Sequence, residues 1–592
     1  MTELLQEGAG LCVSGAELIL RRVAEAGSRH VFLVPGAHIY PLVKALTSGN
    51  LAAPIIAAHE LGAGFMADGY ARLSGRPGVC ASIGGPGASN MLTAAVTAQA
   101  DRSPVLFLSG NVPCSLQGKG LFQDGGPHGS RDVALFSQVV ECAAEVNTLE
   151  ALEANLARAM EALEDTPPKP AFLSIPVDVL AASVVPGRRK EPGPQPAIFD
   201  HGALALAMGD FLRGTLKVAI LAGEEVARGQ GAALLKEFAE RYQVPVATTF
   251  AAKGAVPEDH RLSLGNFGYG GARRASTALL SEELEALLVL GAEFSERNTL
   301  CWHPALLPPG RRVLRIAATP QPPQAPVSPE FRADCAQVLD YLLKEGAPAL
   351  APLENGHAIR QQWLERLAAE PFAFDLPTLA EDASGIHPGW VVHEMRRYLP
   401  RETALFVDAG THRLYAGHYW RGFTPGSLVT ANRTGPMGWA IAAAIGGKLA
   451  RPDLPVAAFT GDGCMLMHGL ELATAVRYRV PIIYIVSNNR GYGKIYMAQQ
   501  ASAPAAAALS RLERQDWAKF ATNLGATGYS VSRLDQLGPA LQRAQAADGP
   551  VVIDVLTMLE CAPPEQSHAA SALYPGPLFT PEKAPLAENR NG

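Results

Sequence analysis

The chain has 592 residues, 48% of them hydrophobic and 18% charged, with a formal net charge of −6. That length predicts three or four domains of ordinary size. The mild charge, with no Lys/Arg cluster interleaved with aromatics, excludes a nucleic-acid partner. No apolar stretch reaches membrane-spanning length, and the acidic N-terminus does not read as a signal peptide. The eight cysteines form neither a CxxC pair nor a zinc spacing. A reduced, cytoplasmic protein with no membrane partner is expected.

Ser14 and Glu17 fit a capping box for a helix that ends at Gly27. The strand HVFLV leads to Pro35-Gly36-Ala37-His38, and a helix and the strand PIIAAH lead to Glu60. The strand CASIG runs into the loop Gly84-Gly85-Pro86-Gly87, and a helix is expected near Ala88-Ser89-Asn90. This alternation predicts a parallel α/β domain over residues 1–188. Its Gly-rich stretch after Gly110 reads as an active-site loop.

The Pro-rich, charged linker VVPGRRKEPGPQPA marks a boundary. A second α/β domain is expected over 195–345, then a connector, a third α/β domain over 386–565, and a Pro-rich tail, 566–592. In the third domain the apolar strand PVAAF precedes Gly461-Asp462-Gly463, read as a tight turn. A helix with Leu470, Leu472, Ala473 and Val476 on its apolar face is predicted next. The strand PIIYIV then carries Asn488-Asn489 to the same sheet edge as Asp462. Asp462, the Asn489 side chain and the Gly491 carbonyl are hard oxygen donors suited to Mg²⁺ or Ca²⁺. Gly461 and Gly463 let backbone approach an anion at a helix N-terminus. The segment AQQASAPAAAALS, Ala-rich, is expected to be mobile.

GDG, helix, strand and NN in this order resemble the thiamine-diphosphate (ThDP) motif of the acetolactate synthase, pyruvate decarboxylase and benzaldehyde lyase superfamily. The context HE, GYAR, PGV and GPG around Glu60 is similar to the superfamily's pyrimidine-binding domain. The resemblance runs from about residue 10 to 560 and is weak in the middle. It implies an α/β fold of three doubly wound parallel-sheet domains: pyrimidine-binding, middle and diphosphate-binding.

The resemblance also implies roles. Glu60 meets the aminopyrimidine ring nitrogen N1′ and favours the imino tautomer. Gly36-Ala37-His38-Ile39 looks like the stretch of benzaldehyde lyase whose histidine faces the thiazolium, so His38 is a candidate proton shuttle. Gln123, after Phe122, resembles the active-site Phe-Gln of the family, with His128 a competing candidate. Pro35, Gly36, Gly85, Asn90, Gly410, His412, Gly435, Met437, Gly461, Asp462, Gly463, Cys464, Asn489, Gly491, Tyr492 and Gly493 are expected around the cofactor, with Met437 wedged under it. Lys494 and Ile495 join His128 as substrate candidates.

Three departures matter. Ser137 and Glu141 stand where acetolactate synthases carry an Arg and a Lys, which speaks against two pyruvates as substrates unless Glu141 is simply a solvated surface acid. Ile316-Ala317-Ala318-Thr319-Pro320 replaces the acid-rich strand end of FAD-binding relatives, so FAD is allowed but not favoured. Lys494 falls where an apolar residue is usual. The expected protein is a ThDP- and Mg²⁺-dependent carboligase or lyase acting on 2-oxo acids or 2-hydroxy ketones. A non-ligating 2-oxo acid decarboxylase and a catalytically silent ThDP-binding paralogue are the alternatives. A homodimer or homotetramer with shared active sites is expected to act on a small-molecule substrate.

Overall fold

A computed structural model describes residues 12–185, 199–321 and 329–561. The tail, 566–592, and most of the linker lie outside the described residues. The capping box is present: Glu17 N donates to Ser14 Oγ at 3.2 Å and Ser14 N to Glu17 Oε2 at 2.8 Å. It opens helix α1, Gly15–Glu25.

Short buried strands alternate with helices, so the chain builds three six-stranded sheets, parallel throughout. The first contains β1 (His30–Leu33), β2 (Ala53–Ile56), β3 (Gly78–Ile83), β4 (Val105–Asn111), β5 (Cys142–Glu145) and β6 (Ala171–Pro176). The second contains β7 (Val218–Ala222), β8 (Val246–Thr248), β9 (Ser263–Asn266), β10 (Ala286–Leu290), β11 (Arg312–Ala317) and β12 (Glu330–Arg332). The third contains β13 (Ala404–Val407), β14 (Leu428–Val429), β15 (Val456–Gly461), β16 (Ile483–Asn488), β17 (Thr527–Val531) and β18 (Val551–Leu556).

The first sheet has the order β2-β1-β3-β4-β6-β5 and the third the equivalent order β14-β13-β15-β16-β18-β17. Each reverses direction beside its own first strand. In open α/β sheets, ligands sit at that switch point, outside the carboxyl ends of the strands. The middle sheet has the order β9-β8-β7-β10-β11-β12.

The outer domains meet through α2 (Glu60–Ser74) and α4 (Trp439–Ala450); between them in the chain lies α3 (Pro86–Asp101). Glycines let the two backbones approach. A Cβ at Gly69 would lie 2.0 Å from Ala443 O, and one at Gly446 would lie 1.8 Å from Met66 O. Asp68, fully buried, accepts from Arg72 and from Trp439 Nε1 at 2.8 Å. One apolar core runs through this joint. The middle domain extends beyond residue 345: Leu350 and Leu353 of the next helix belong to its core.

Two readings need correction. The Gly461-Asp462-Gly463 segment is not a turn: helix α5, Asp462–His468, starts at the aspartate, directly after β15. Leu470 is not core; it sits in a 3₁₀ segment and is 63% exposed. In addition, part of the Ala-rich segment is ordered into the helix Pro504–Ala507, with Ala507 buried.

Candidate active site

Two half-sites stand on equivalent edges of the outer sheets. In the first domain, Glu60 opens α2 just after β2. The turn before it is tied down by Glu471, whose carboxylate accepts from Ala58 N at 3.1 Å and His59 N at 3.0 Å. Glu60 Oε2 accepts from Asn90 Nδ2 of α3 at 3.0 Å. Gly85 supplies the left-handed turn (φ +68°) before α3. His38 lies in the 3₁₀ turn Ala37–Ile39 after β1. Its carbonyl presses on β4, where a Cβ at Gly110 would lie 2.3 Å away. A Cβ at Gly36 would lie 2.3 Å from Ile83 Cγ2, so this neighbour must also be glycine. Pro35 is exposed. The buried His38 Nδ1 has no partner among the described residues. Burial holds the His38 pKa below its ordinary value, with Asp124 opposing.

The loop after β4 is pinned by side chains that the sequence reading did not single out. Asn111 Oδ1 accepts from Gly125 N at 2.9 Å, and Asp124 accepts from Gly118 N at 3.0 Å and Gly126 N at 2.8 Å. Asp132 Oδ2 accepts from Gly85 N at 3.0 Å, tying the loop to the start of α3. These bonds hold Gln123 in a left-handed conformation, φ +60°. Gln123 and His128 line one cavity of about 710 Å³ with Gly85 and Ser89. Phe122, beside it, is 84% exposed. Glu141 is a surface acid paired with Lys169 at 2.9 Å, which answers the doubt attached to its charge. Ser137 is also exposed and donates to Ala134 O.

In the third domain β15 and β16 run in register, Gly461 beside Ser487. Asp462 and Asn489 therefore emerge together. Asp462 accepts from Gly463 N at 2.8 Å and Gly491 N at 3.1 Å. Burial still pushes its pKa up to about 6. Asn488 Nδ2 donates to Asp554 Oδ1 and Gln515 O, both at 2.9 Å, while its Oδ1 is buried with no partner among the described residues. Asn489 Oδ1, Thr411 Oγ1 and His412 Nε2 are buried with no partner among the described residues. Burial and the adjacent Arg413 push the His412 pKa down to about 3.

Glycines clear space around these atoms. A Cβ at Gly493 would lie 2.7 Å from both Asn489 Nδ2 and Thr411 Oγ1. One at Gly463 would lie 2.7 Å from Tyr492 Cε1 and 3.0 Å from Met437 Cε. One at Gly461 would lie 3.2 Å from His412 Cε1. Gly435 (φ +59°) and Gly438 (φ +83°) flank Met437. Cys464 turns its thiol inward, to Ala409 O. Lys494 and Ile495 are half-buried in the first turn of α6, Gly493–Ser502.

The buried, unpartnered oxygens and the glycine-cleared cradle fit a bound diphosphate with a hard cation. Thr411 is the site residue the sequence reading missed; it lies between two candidates, Gly410 and His412. Among the described residues there is no cluster of three or more His, Cys, Asp or Glu able to hold a metal. One carboxylate with amide and backbone carbonyl oxygens is therefore the donor set available. No helix among the described residues is long and apolar enough to cross a membrane.

Comparison with known proteins bears on the same three blocks. Family models of thiamine pyrophosphate enzymes match residues 13–128 (N-terminal TPP binding domain), 207–342 (central domain) and 408–555 (C-terminal TPP binding domain). A probable acetolactate synthase large subunit of Methanocaldococcus jannaschii is 30% identical over 559 residues, 92% of each chain. An acetolactate synthase of Bacillus subtilis is 28% identical over 568 residues, covering 94% of this chain and 95% of its own. The acetolactate synthase isozyme 1 large subunit of Escherichia coli is 29% identical over 498 residues, covering 82% of this chain and 83% of its own.

Proposed function

Because the chain belongs to the thiamine pyrophosphate enzymes, in the acetolactate synthase and pyruvate decarboxylase superfamily, we propose that it is a ThDP- and Mg²⁺-dependent carboligase or lyase of 2-oxo acids and 2-hydroxy ketones. The observation that carries this reading is the pairing of two half-sites on like sheet edges. One offers Glu60 with Asn90, the other the unpartnered oxygens around Asp462.

When bound, ThDP supplies a carbon nucleophile for a carbonyl and an electron sink for the charge left by carbon–carbon cleavage. Glu60 holds a proton at the pyrimidine nitrogen N1′: Asn90 takes Oε2 and leaves Oε1 for that bond. Asp462, Asn489 and the Gly491 carbonyl hold Mg²⁺, and Thr411 and His412 meet the diphosphate. Met437, whose Cε lies near Gly463, would supply an apolar, adaptable contact to the cofactor. His38, its pKa lowered by burial, would take the proton of a substrate hydroxyl or give one to the corresponding alkoxide. The pinned loop holds Gln123 and His128 at the wall of one cavity, where they would meet the substrate. No flavin enters this reading: at the end of β11, Glu225 already accepts from Ala318 N at 2.8 Å and Thr319 N at 3.2 Å.

We also propose that the two half-sites meet across a homodimer, with a tetramer as a pair of such dimers. Leu466, Met467 and Leu470, 51%, 52% and 63% exposed, form an apolar face around α5, the helix that Asp462 opens. Such a patch beside a site calls for a covering partner. Leu470→Glu is expected to give monomers by sedimentation equilibrium and to abolish ThDP-dependent turnover. A fully active Leu470→Glu dimer would remove that face from the interface.

The reaction is tested by mass-detected turnover with ThDP and Mg²⁺, first with pyruvate, then with pyruvate plus acetaldehyde or benzaldehyde. A hydroxy-ketone product is expected. Acetaldehyde and CO₂ with no ligation product would replace the carboligase by a simple decarboxylase.

A further inference from the structure

A group of cations lies where the middle domain meets the third. Arg413 follows His412, and its Nη1 lies 3.5 Å from the position a Cβ on Gly435 would take. Lys494 follows Gly493. Arg297 comes from the middle domain, in the segment after β10, and lines a cavity of about 220 Å³ with Tyr269, Asn432, Arg433 and the acids Glu224, Glu293 and Glu296.

The contacts link the three side chains. Asn432 joins the guanidinium groups: Arg297 Nη1 donates to its carbonyl at 3.1 Å and Arg413 Nη2 to its Oδ1 at 3.2 Å. Tyr269 joins Arg297 and Lys494: Arg297 Cζ lies 4.8 Å and Lys494 Nζ 5.9 Å from its ring centroid. Arg413 sits 5.4 Å over Phe250, whose ring packs edge-on against Tyr269.

Aromatic and carbonyl groups are the partners in these contacts. Of the three acids that line the same cavity, Glu224 and Glu293 pair with Arg433. Glu296 acts on Lys494, and Asp101 and Asp408 act on Arg413. Asp101 is committed to Arg72, at 2.9 Å, and Asp408 to Thr460, at 2.6 Å. Arg413 Nε is buried and has no partner among the described residues. Burial, Arg297 and Arg413 together push the Lys494 pKa down to about 8, the mark of a cation set among cations. Self-repulsion of this kind is relieved by an anion.

We propose that Lys494, Arg297 and Arg413 form a receptor for a second anionic group on the substrate, so that the enzyme takes a 2-oxo acid bearing a further carboxylate, phosphonate or sulfonate. This rests on the ThDP reading above, which places Gly435 and Gly493 against the cofactor. The lone carboxylate of pyruvate, lost on decarboxylation, does not need three cations. Lys494 is the specificity-determining residue, because the other two are held by Asn432 and it is not.

Succinate, a dianion with no reacting carbonyl, is the probe. It is titrated calorimetrically into wild-type, Lys494→Met, Lys494→Arg and Arg297→Met holoenzyme, and ThDP affinity is measured separately by tryptophan fluorescence. Succinate is expected to bind wild type and Lys494→Arg. Its affinity should fall at least ~10-fold in both methionine variants, the loss of one charge-assisted contact, with ThDP affinity held. Equal succinate binding by all four proteins, or none by the wild type, would overturn the proposal. So would a parallel loss of ThDP affinity, which would assign the cations to the cofactor diphosphate. A wild-type chain that binds succinate and not ThDP would keep the anion receptor and remove the ThDP reading.

Discussion

Glu60→Gln is expected to lower turnover by about 10²–10⁴-fold, the range of a positioned acid–base group, with little effect on the fold. The side chain that replaces it has the same shape. Its amide oxygen still accepts from Asn90 Nδ2, the bond that fixes Glu60. The turn before it is anchored by Glu471 through backbone amides and does not depend on Glu60. What the amide lacks is an ionisable proton at the ring nitrogen. ThDP should therefore still bind, with far-ultraviolet circular dichroism unchanged and turnover lost. Wild-type turnover in Glu60→Gln would take the acid–base role from this residue and restore the silent-paralogue reading.

How much of this was legible in the sequence depends on how far apart the partners lie. Asp462 and Asn489 could be read because one strand–helix–strand unit carries both to adjacent strand ends, and the register of β15 with β16 does the rest. Glu60 and Asn90 came from the family resemblance alone, because the strands before them, β2 and β3, are separated in the sheet by β1 and no local unit pairs them. The apolar pattern around Leu470 was legible but misassigned. Periodicity marks a face that avoids water; it does not say whether the chain's own core or a second copy covers it. For Glu141 the spacing left a repelling acid and a solvated surface acid both open, and only the fold, which brings Lys169 alongside, decides for the surface acid. The bonds of Asn111, Asp124 and Asp132 to loop amides leave no periodic trace either. Arg297 was invisible for the most physical reason: it reaches the site from another domain, through Tyr269 and Asn432, and no local motif announces it.

Asp462→Ala is expected to weaken Mg²⁺-dependent ThDP binding by at least about 100-fold, above the usual loss for a residue that only supports a metal ligand. Asp462 is the one carboxylate proposed for the cation, and it also accepts from Gly463 N and Gly491 N. Its removal leaves Asn489 Oδ1 and a backbone carbonyl, both neutral, facing a divalent ion. Fluorescence titration of ThDP with and without Mg²⁺ measures the loss, and undiminished binding would exclude Asp462 as ligand. The same variant decides whether the half-sites belong to different chains. In a dimer with shared sites, a mixed Asp462→Ala and Glu60→Gln pair holds one site with both residues intact and one with both altered. Random assembly of the two inactive proteins should then recover about a quarter of wild-type turnover. If each site lay within one chain, every site in the mixture would carry a defect and no recovery would appear. Refolding the two variants together and assaying the mixture therefore tests the site and its symmetry at once.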